Sequence, residues 1–299
     1  MPDSYLADAL GVLAEPVEIL RWSLDTVASD DSIDIVVAHY MAPASQFRFL
    51  QGVRTRLVQY QSIGYDGVAE LLPPGTVFAN ATSVHEASTA ELGVALILAA
   101  QRGLDDYVRA SERGRWEPDV RESLADRRVL LVGYGGVGRA LARRLAPFEV
   151  DLTCVARRAR RDGDLFVHGW QELPSLLSHA DIVVLALPFN DATHHLVDAN
   201  FLQQLRDGAL LVNLGRGPVV NTDDLVREVA SGRLRAALDV VEPEPLPDGH
   251  PLFALSNVLI SPHVGGATSA MRPRMSRLLV TQVERMQRGE EAMNVVLRT

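Results

Sequence analysis

RVLLVGYGGVGRALARRLAPFEVDLTCVARRARR, residues 128–161, is the stretch on which the fold turns. Val129, Leu130, Leu131 and Val132 form a short apolar run of the kind buried on both faces of a parallel sheet. Gly133, Gly135 and Gly138 follow at the G-x-G-x-x-G spacing, and a helical pattern of Ala140, Leu141 and Leu145 begins at once. In such a turn the first glycine permits the sharp bend and the second lets a pyrophosphate approach the backbone. The third lets the helix pack on the strand. The helix start adds unpaired N–H groups and the positive end of the helix dipole. Gly133, Gly135, Gly136, Val137 and Gly138 are therefore the expected cofactor-binding residues of the turn. At the end of the next strand, residues 152–155, a unit that binds NAD carries an acid for the ribose hydroxyls. Ala156 stands there instead, followed by Arg157, Arg158, Arg160 and Arg161. Arginines suit a 2′-phosphate, so NADP is expected in preference to NAD, with Arg157 and Arg158 as its contacts. A solvated loop is the plainer account of the same arginines.

At 299 residues the chain is long enough for two domains, and 47% apolar with 22% charged residues is a globular composition. No apolar run approaches the ~20 residues of a membrane span, and the acids in MPDSYLADAL do not fit a secretory signal. Cys154, the only cysteine, falls in an expected buried strand, which points away from disulfides and thiol catalysis and towards a cytoplasmic location. All 29 basic residues are arginine. With no lysine, internal Schiff bases, pyridoxal phosphate attachment and P-loop phosphate binding are excluded. A net charge of −9 argues against a nucleic-acid partner, and no His, Cys, Asp or Glu spacing suggests a metal.

Outward from the glycine turn, apolar runs alternate with helical segments. Strands are expected at residues 17–22, 33–37, 57–61 and 77–79, then at 182–186, 210–213, 236–240 and 258–260. One long helix is expected over residues 87–112, shorter ones at 171–177, 199–205 and 222–231, and a last one over 268–288. This alternation is that of an α/β protein with a Rossmann-type doubly wound parallel sheet, joined to a second α/β domain that the last helix revisits. Ligands of such sheets bind at the carboxyl ends of strands, which singles out residues 62–66, 187–193, 215–218 and 262–266. Flanking glycines around Arg216 are expected to let its backbone approach a ligand. His194 and His195 are expected to be solvent-facing residues at a helix start.

Taken together, SIGYDGV (62–68), STAELGVALILA (88–99), VGYGGVGRAL (132–141), ADIVVLALP (180–188), LLVNLGRGPVV (210–220), AALDVVEPEPLP (236–247) and NVLISPHVGGAT (257–268) resemble the D-isomer-specific 2-hydroxyacid dehydrogenase family over nearly the whole chain. The resemblance implies a discontinuous flavodoxin-like substrate domain, residues 1–90 and 268–299, and a dinucleotide-binding domain, residues 91–267, with a cleft between them that closes on substrate. It implies an Arg–Glu–His catalytic set on Arg216, Glu244 and His263, with Glu242 as the other carboxylate in register reach. Reduction of a 2-oxo acid needs a hydride on the carbonyl carbon and a proton on the oxygen, and histidine, with an ordinary pKa of about 6.5, suits the proton. Arg216 offers a fixed fork of donors for the substrate carboxylate. The resemblance further implies backbone contacts to that carboxylate at Ile63 and Gly64, cofactor contacts at Leu187, Pro188 and Thr193, and Asp239 near the nicotinamide amide. It also implies a homodimer. The expected activity is an NADPH-preferring reduction of small 2-oxo acids, such as glyoxylate or hydroxypyruvate, to D-2-hydroxy acids. The alternatives are the same scaffold with NAD, phosphoglycerate or phosphite, or a corepressor-like protein that senses nucleotide without turnover.

Overall fold

A computed structural model describes residues 1–299. In chain order the elements are α1 (Ser4–Ala9), β1 (Ser32–Ala38), β2 (Arg54–Tyr60), β3 (Val77–Ala79), α2 (Glu86–Arg102), α3 (Leu104–Glu112), β4 (Arg128–Val132), α4 (Gly136–Leu145), β5 (Asp151–Ala156), β6 (Arg160–Asp162), β7 (Leu165–Gly169), α5 (Leu173–Leu177), β8 (Ile182–Leu185), α6 (Ala199–Gln203), β9 (Leu210–Asn213), α7 (Thr222–Ala230), β10 (Arg235–Leu238), β11 (Val258–Ile260), α8 (Met271–Gln287) and β12 (Val295–Arg298). Two units result, one of Met1–Glu86 with Gly266–Thr299 and one of Ala87–Gly265.

The first unit is built on a four-stranded sheet of order β1-β2-β3-β12, parallel except for β12. Phe47, Tyr60 and Phe78 pack edge to face or tilted on one another, with Phe47 and Phe78 fully buried. Two buried glutamines tie α8 to the sheet. Gln282 Nε2 donates to Gln59 Oε1 at 2.8 Å, while Gln59 Nε2 donates to the carbonyls of Tyr60 and Asn80. A buried amide side chain without such partners would cost about 1–3 kcal/mol, so the pair also specifies where α8 sits.

The second unit carries an eight-stranded sheet of order β11-β10-β9-β8-β4-β5-β7-β6, parallel except for β6. β4 lies between β5 and β8, so the strand order reverses direction at β4 and a crevice opens at the carboxyl ends there. Leu130, Leu131 and Val132 of β4 and Ile182, Val183, Val184 and Leu185 of β8 are at most 2% exposed, as strands covered on both faces must be. Cys154, also fully buried, has its thiol pushed up to about 12 by that burial, well outside the range of thiol chemistry at neutral pH.

Several sequence expectations are corrected. Residues 17–22 form no strand. The long helix breaks at Gly103, whose φ of 59° is left-handed, and so divides into α2 and α3. β6 and β7 form an antiparallel hairpin around Gly163 that the arginine-rich composition concealed. No helix is long and apolar enough to cross a membrane.

Candidate active site

The three motif glycines do different work. A Cβ on Gly133, whose φ is 106°, would lie 2.3 Å from the Ala186 carbonyl oxygen, and one on Gly138 would lie 2.0 Å from that of Gly133. These two allow the turn between β4 and α4 to close against the end of β8. A Cβ on Gly135 would meet nothing within 4 Å. That open side, at the start of a ten-residue helix whose first-turn N–H groups lack intrahelical partners, is the cradle a pyrophosphate needs. Gly136 and Val137 are the first residues of α4 and bring their amides to the same point.

At the end of β5, Ala156 is buried and Arg157 and Arg158 are exposed, and neither guanidinium is in an ion pair. Two uncompensated cations after the strand fit a 2′-phosphate, whereas no carboxylate stands at Ala156 to receive the free ribose hydroxyls of NAD. Arg160 behaves differently from its neighbours. Its Nη2 donates to the Tyr134 carbonyl at 2.9 Å, which fastens the β6–β7 hairpin to the glycine turn. Arg160 and Arg139 each lie 5.7 Å from the centre of the Tyr134 ring.

Arg216 follows β9. Asn213 holds its turn, accepting from the Gly215 N–H at 3.0 Å and donating to the Arg216 carbonyl at 3.0 Å. Arg216 Nη1 donates to the Gly215 carbonyl at 2.8 Å. The flanking glycines are needed for loop packing. A Cβ on Gly215 would lie 2.5 Å from the Leu187 carbonyl oxygen, and one on Gly217 would lie 1.8 Å from that of Val241.

His263 follows β11, and its Nδ1 is hydrogen-bonded to Glu244 Oε1. The nearby Glu242 instead pairs with His195, its Oε2 lying 2.8 Å from His195 Nε2. The two register-related carboxylates thus each have their own imidazole. His263 has a φ of 52°, a left-handed conformation that costs a non-glycine residue about 1–2 kcal/mol. Asp239, 3% exposed at the end of β10, supplies the compensation. Its carboxylate accepts from Ser261 Oγ at 2.7 Å, the Val264 N–H at 2.9 Å and the Gly265 N–H at 3.0 Å. Its carbonyl accepts from the His263 N–H at 2.8 Å. Three of about four acceptor positions on the carboxylate are therefore engaged in shaping the histidine loop. Sequence reading missed this function, although an acid just past one strand and a Ser-Pro-His just past the next were both visible.

Among the other expected residues, Leu187 is buried and Pro188 exposed, and Thr193 is buried with its hydroxyl donating within its own turn, to the carbonyls of Pro188 at 2.9 Å and Asn190 at 3.1 Å. That hydroxyl shapes the loop after β8. Ile63 and Gly64 belong to the first unit, in the loop after β2, where Asn80 Nδ2 holds the Ile63 carbonyl at 2.8 Å. Their own N–H groups make no hydrogen bond within that unit. His194 and His195 lie in a turn rather than at a helix start, since α6 begins at Ala199 after an Asp198 cap.

Residues 94–265 match the model of the D-isomer specific 2-hydroxyacid dehydrogenase NAD binding domain. Human glyoxylate reductase/hydroxypyruvate reductase is 35% identical over 249 residues, which is 80% of this chain and 76% of that protein. Glyoxylate reductase of Pyrococcus furiosus is 31% identical over 93% of this chain and 86% of its own length. Among solved structures, a D-isomer specific 2-hydroxyacid dehydrogenase from Xanthobacter autotrophicus in complex with NADPH superposes with a TM-score of 0.82 at 29% identity, covering 98% of this chain and 93% of that one. The NADPH-dependent glyoxylate/hydroxypyruvate reductase of Sinorhizobium meliloti, in complex with NADP and malonate, gives 0.80 at 27% identity over 100% and 96%. With the glycine turn, the arginine and the histidine–glutamate pair on one dinucleotide-binding sheet, the chain belongs to the D-isomer specific 2-hydroxyacid dehydrogenase family of NAD(P)-dependent oxidoreductases.

Proposed function

We propose that the chain is an NADPH-preferring reductase of small, unphosphorylated 2-oxo acids, of the glyoxylate or hydroxypyruvate type, with D-2-hydroxy acids as products. The hydrogen bond between His263 and Glu244 carries the reading. With Nδ1 fixed by the carboxylate, Nε2 is the ring atom left to give a proton to the developing alkoxide, and Glu244 stabilises the imidazolium that holds that proton. Arg216 would hold the substrate carboxylate and polarise its carbonyl. Ile63 and Gly64 offer two unbonded backbone N–H groups of the kind a carboxylate accepts. The nicotinamide, when bound, supplies the hydride. Gly135, Gly136 and Val137 would hold its pyrophosphate and Arg157 with Arg158 its 2′-phosphate, with Leu187, Pro188, Thr193 and Asp239 shaping the nicotinamide end. The coenzymes named for the Xanthobacter and Sinorhizobium structures, NADPH and NADP, support the same preference.

The assembly proposed is a homodimer in the cytoplasm. Trp116 and Val120, each 95% exposed on the segment after α3, are the sort of apolar surface that a partner chain covers. Light scattering should give twice the 32.6 kDa chain mass.

The deciding experiment follows NADPH and NADH oxidation, by absorbance, with glyoxylate, hydroxypyruvate, pyruvate and phenylpyruvate. Turnover with NADPH and glyoxylate or hydroxypyruvate, at a kcat/KM at least ten times that with NADH, is expected. NADH turnover equal to or above NADPH turnover would overturn the cofactor preference, and tight NADPH binding without turnover on the panel would overturn the substrate class.

A further inference from the structure

We propose that His194, His195 and Glu242 form a binding site for one transition-metal ion of the Zn²⁺ class, outside the Arg216–His263–Glu244 set. One imidazole nitrogen of each histidine and one oxygen of Glu242 lie within 4.8 Å of one another. Linear spacing does not disclose the group, because Glu242 is 47 residues beyond His195.

Two imidazoles and a carboxylate select a borderline cation. Mg²⁺ and Ca²⁺ prefer oxygen-only shells, whereas Zn²⁺, Ni²⁺ and Cu²⁺ take mixed nitrogen and oxygen donors. A tetrahedral ion with arms of about 2.0–2.1 Å sets its ligand atoms about 3.3 Å apart. The 2.8 Å contact between His195 Nε2 and Glu242 Oε2 therefore has to open by about half an ångström, and His194 has to swing inwards. His194 is exposed, and the Phe189 ring meets it edge to face with centroids 5.6 Å apart. The His194 ring already lies against that of His195, with centroids 4.1 Å apart and planes 29° from parallel. His195 and Glu242 are half-buried, at 36% and 34% side-chain exposure, so a fourth position open to water remains.

A half-exposed His–Glu pair is an ordinary surface contact and by itself contributes about 0–1 kcal/mol. The backbone of His195 is not ordinary. Its φ of 47° is left-handed, an arrangement that persists in a non-glycine residue only where the surroundings impose it. The His195 N–H donates to the Pro218 carbonyl at 2.8 Å and the Val197 N–H to the Val219 carbonyl at 3.0 Å, while Thr222 Oγ1 donates to the Glu242 carbonyl at 2.5 Å. The cluster thus sits where the loops after β8, β9 and β10 are laced together. An ion there would bridge the first to the third, two residues before Glu244. All of these contacts lie in the second unit.

The test uses the untagged full-length chain, freed of metal with a chelator, and titrates it with Zn²⁺ by calorimetry. Its readout is binding, so it stands apart from the proposed reductase activity. One equivalent of tight binding is expected, weakened at least tenfold in His194→Ala and in Glu242→Gln and abolished in the double variant. Co²⁺ should give visible d–d bands of a tetrahedral nitrogen–oxygen site that vanish in His194→Ala, a change at an exposed side chain that leaves the fold and the NADPH-linked turnover as they were. No stoichiometric binding, or binding that His194→Ala leaves unchanged, overturns the proposal. The second result would place the ion at another histidine–carboxylate pair, such as His263–Glu244 or His168–Glu172.

Discussion

His263 and Arg157 both follow the carboxyl ends of strands in one sheet, yet their surroundings differ in kind. The histidine loop is held at every turn, with Asp239 taking one hydroxyl and two amides through its carboxylate and the His263 amide through its carbonyl. The arginine segment has two exposed cations with no ion-pair partner, between the end of β5 and the β6–β7 hairpin that Arg160 fastens to the glycine turn. The difference follows from the tasks proposed for each. Proton transfer demands a donor fixed to within tenths of an ångström before substrate arrives, so strain and burial are accepted to fix it. A phosphate dianion attracts cations over several ångströms and organises flexible side chains itself.

The sharpest way to break this comparison is His263→Ala. Turnover should fall about 10³-fold, which corresponds to about 4 kcal/mol of barrier, while NADPH affinity measured by fluorescence stays within about threefold. Turnover retained within tenfold would remove His263 from the proton step. Next comes the support beneath it. Asp239→Asn leaves buried donors facing an amide and should lower the unfolding free energy in urea by about 2–3 kcal/mol, with a concurrent loss of kcat. If stability is unchanged, the loop is held by something other than that carboxylate.

The arginine side of the comparison is expected to respond in binding and not in stability. Arg157→Ala with Arg158→Ala should raise the NADPH KM about 10–30-fold, leave the NADH KM within about twofold, and leave Tm within a degree or two. Equal effects on both coenzymes would show that the arginines do not read the 2′-phosphate. Gly135→Ala separates the two roles within one turn, since its Cβ meets no protein atom. Stability should change by no more than about 0.5 kcal/mol while the affinity for either coenzyme drops about tenfold.

The smallest effect concerns a pair remote from both. Partial burial pulls the Asp181 carboxyl up, but the Arg128 side chain and backbone N–H, with the Arg128 and Arg206 charges, outweigh it and hold its pKa at about 2 against an ordinary 3.8. Because the folded value is the lower one, the contribution is complete above pH 3.8 and fades as the pH falls through about 2. Asp181→Asn should therefore cost on the order of 1 kcal/mol at pH 7 and only a small fraction of that near pH 2, as read from urea titrations at the two pH values.

What the sequence disclosed, it disclosed through short-range order. Gly133, Gly135 and Gly138 are read within six residues, and the parallel sheet follows from alternation that needs no partner to be seen. Residues 17–22 had the composition of a strand, but a strand exists only where a neighbour offers its edge, and that information lies elsewhere in the chain. The helix through Gly103 failed for the opposite reason, because a single left-handed residue outweighs an otherwise continuous apolar period. Glu244 and Glu242 could not be separated by spacing, and the fold separates them by giving each a different histidine. The loop-tying role of Asp239 was hidden because its partners lie 22 or more residues away.

Cys154 has one further consequence. It is the only cysteine, it is fully buried beside the coenzyme turn in β5, and its thiol is pushed up to about 12. A thiol reagent therefore finds nothing to modify in the native chain. Its rate of incorporation becomes a clock for the opening of the second unit alone, readable by mass without any introduced label, and slowed by whatever ligand the native unit binds.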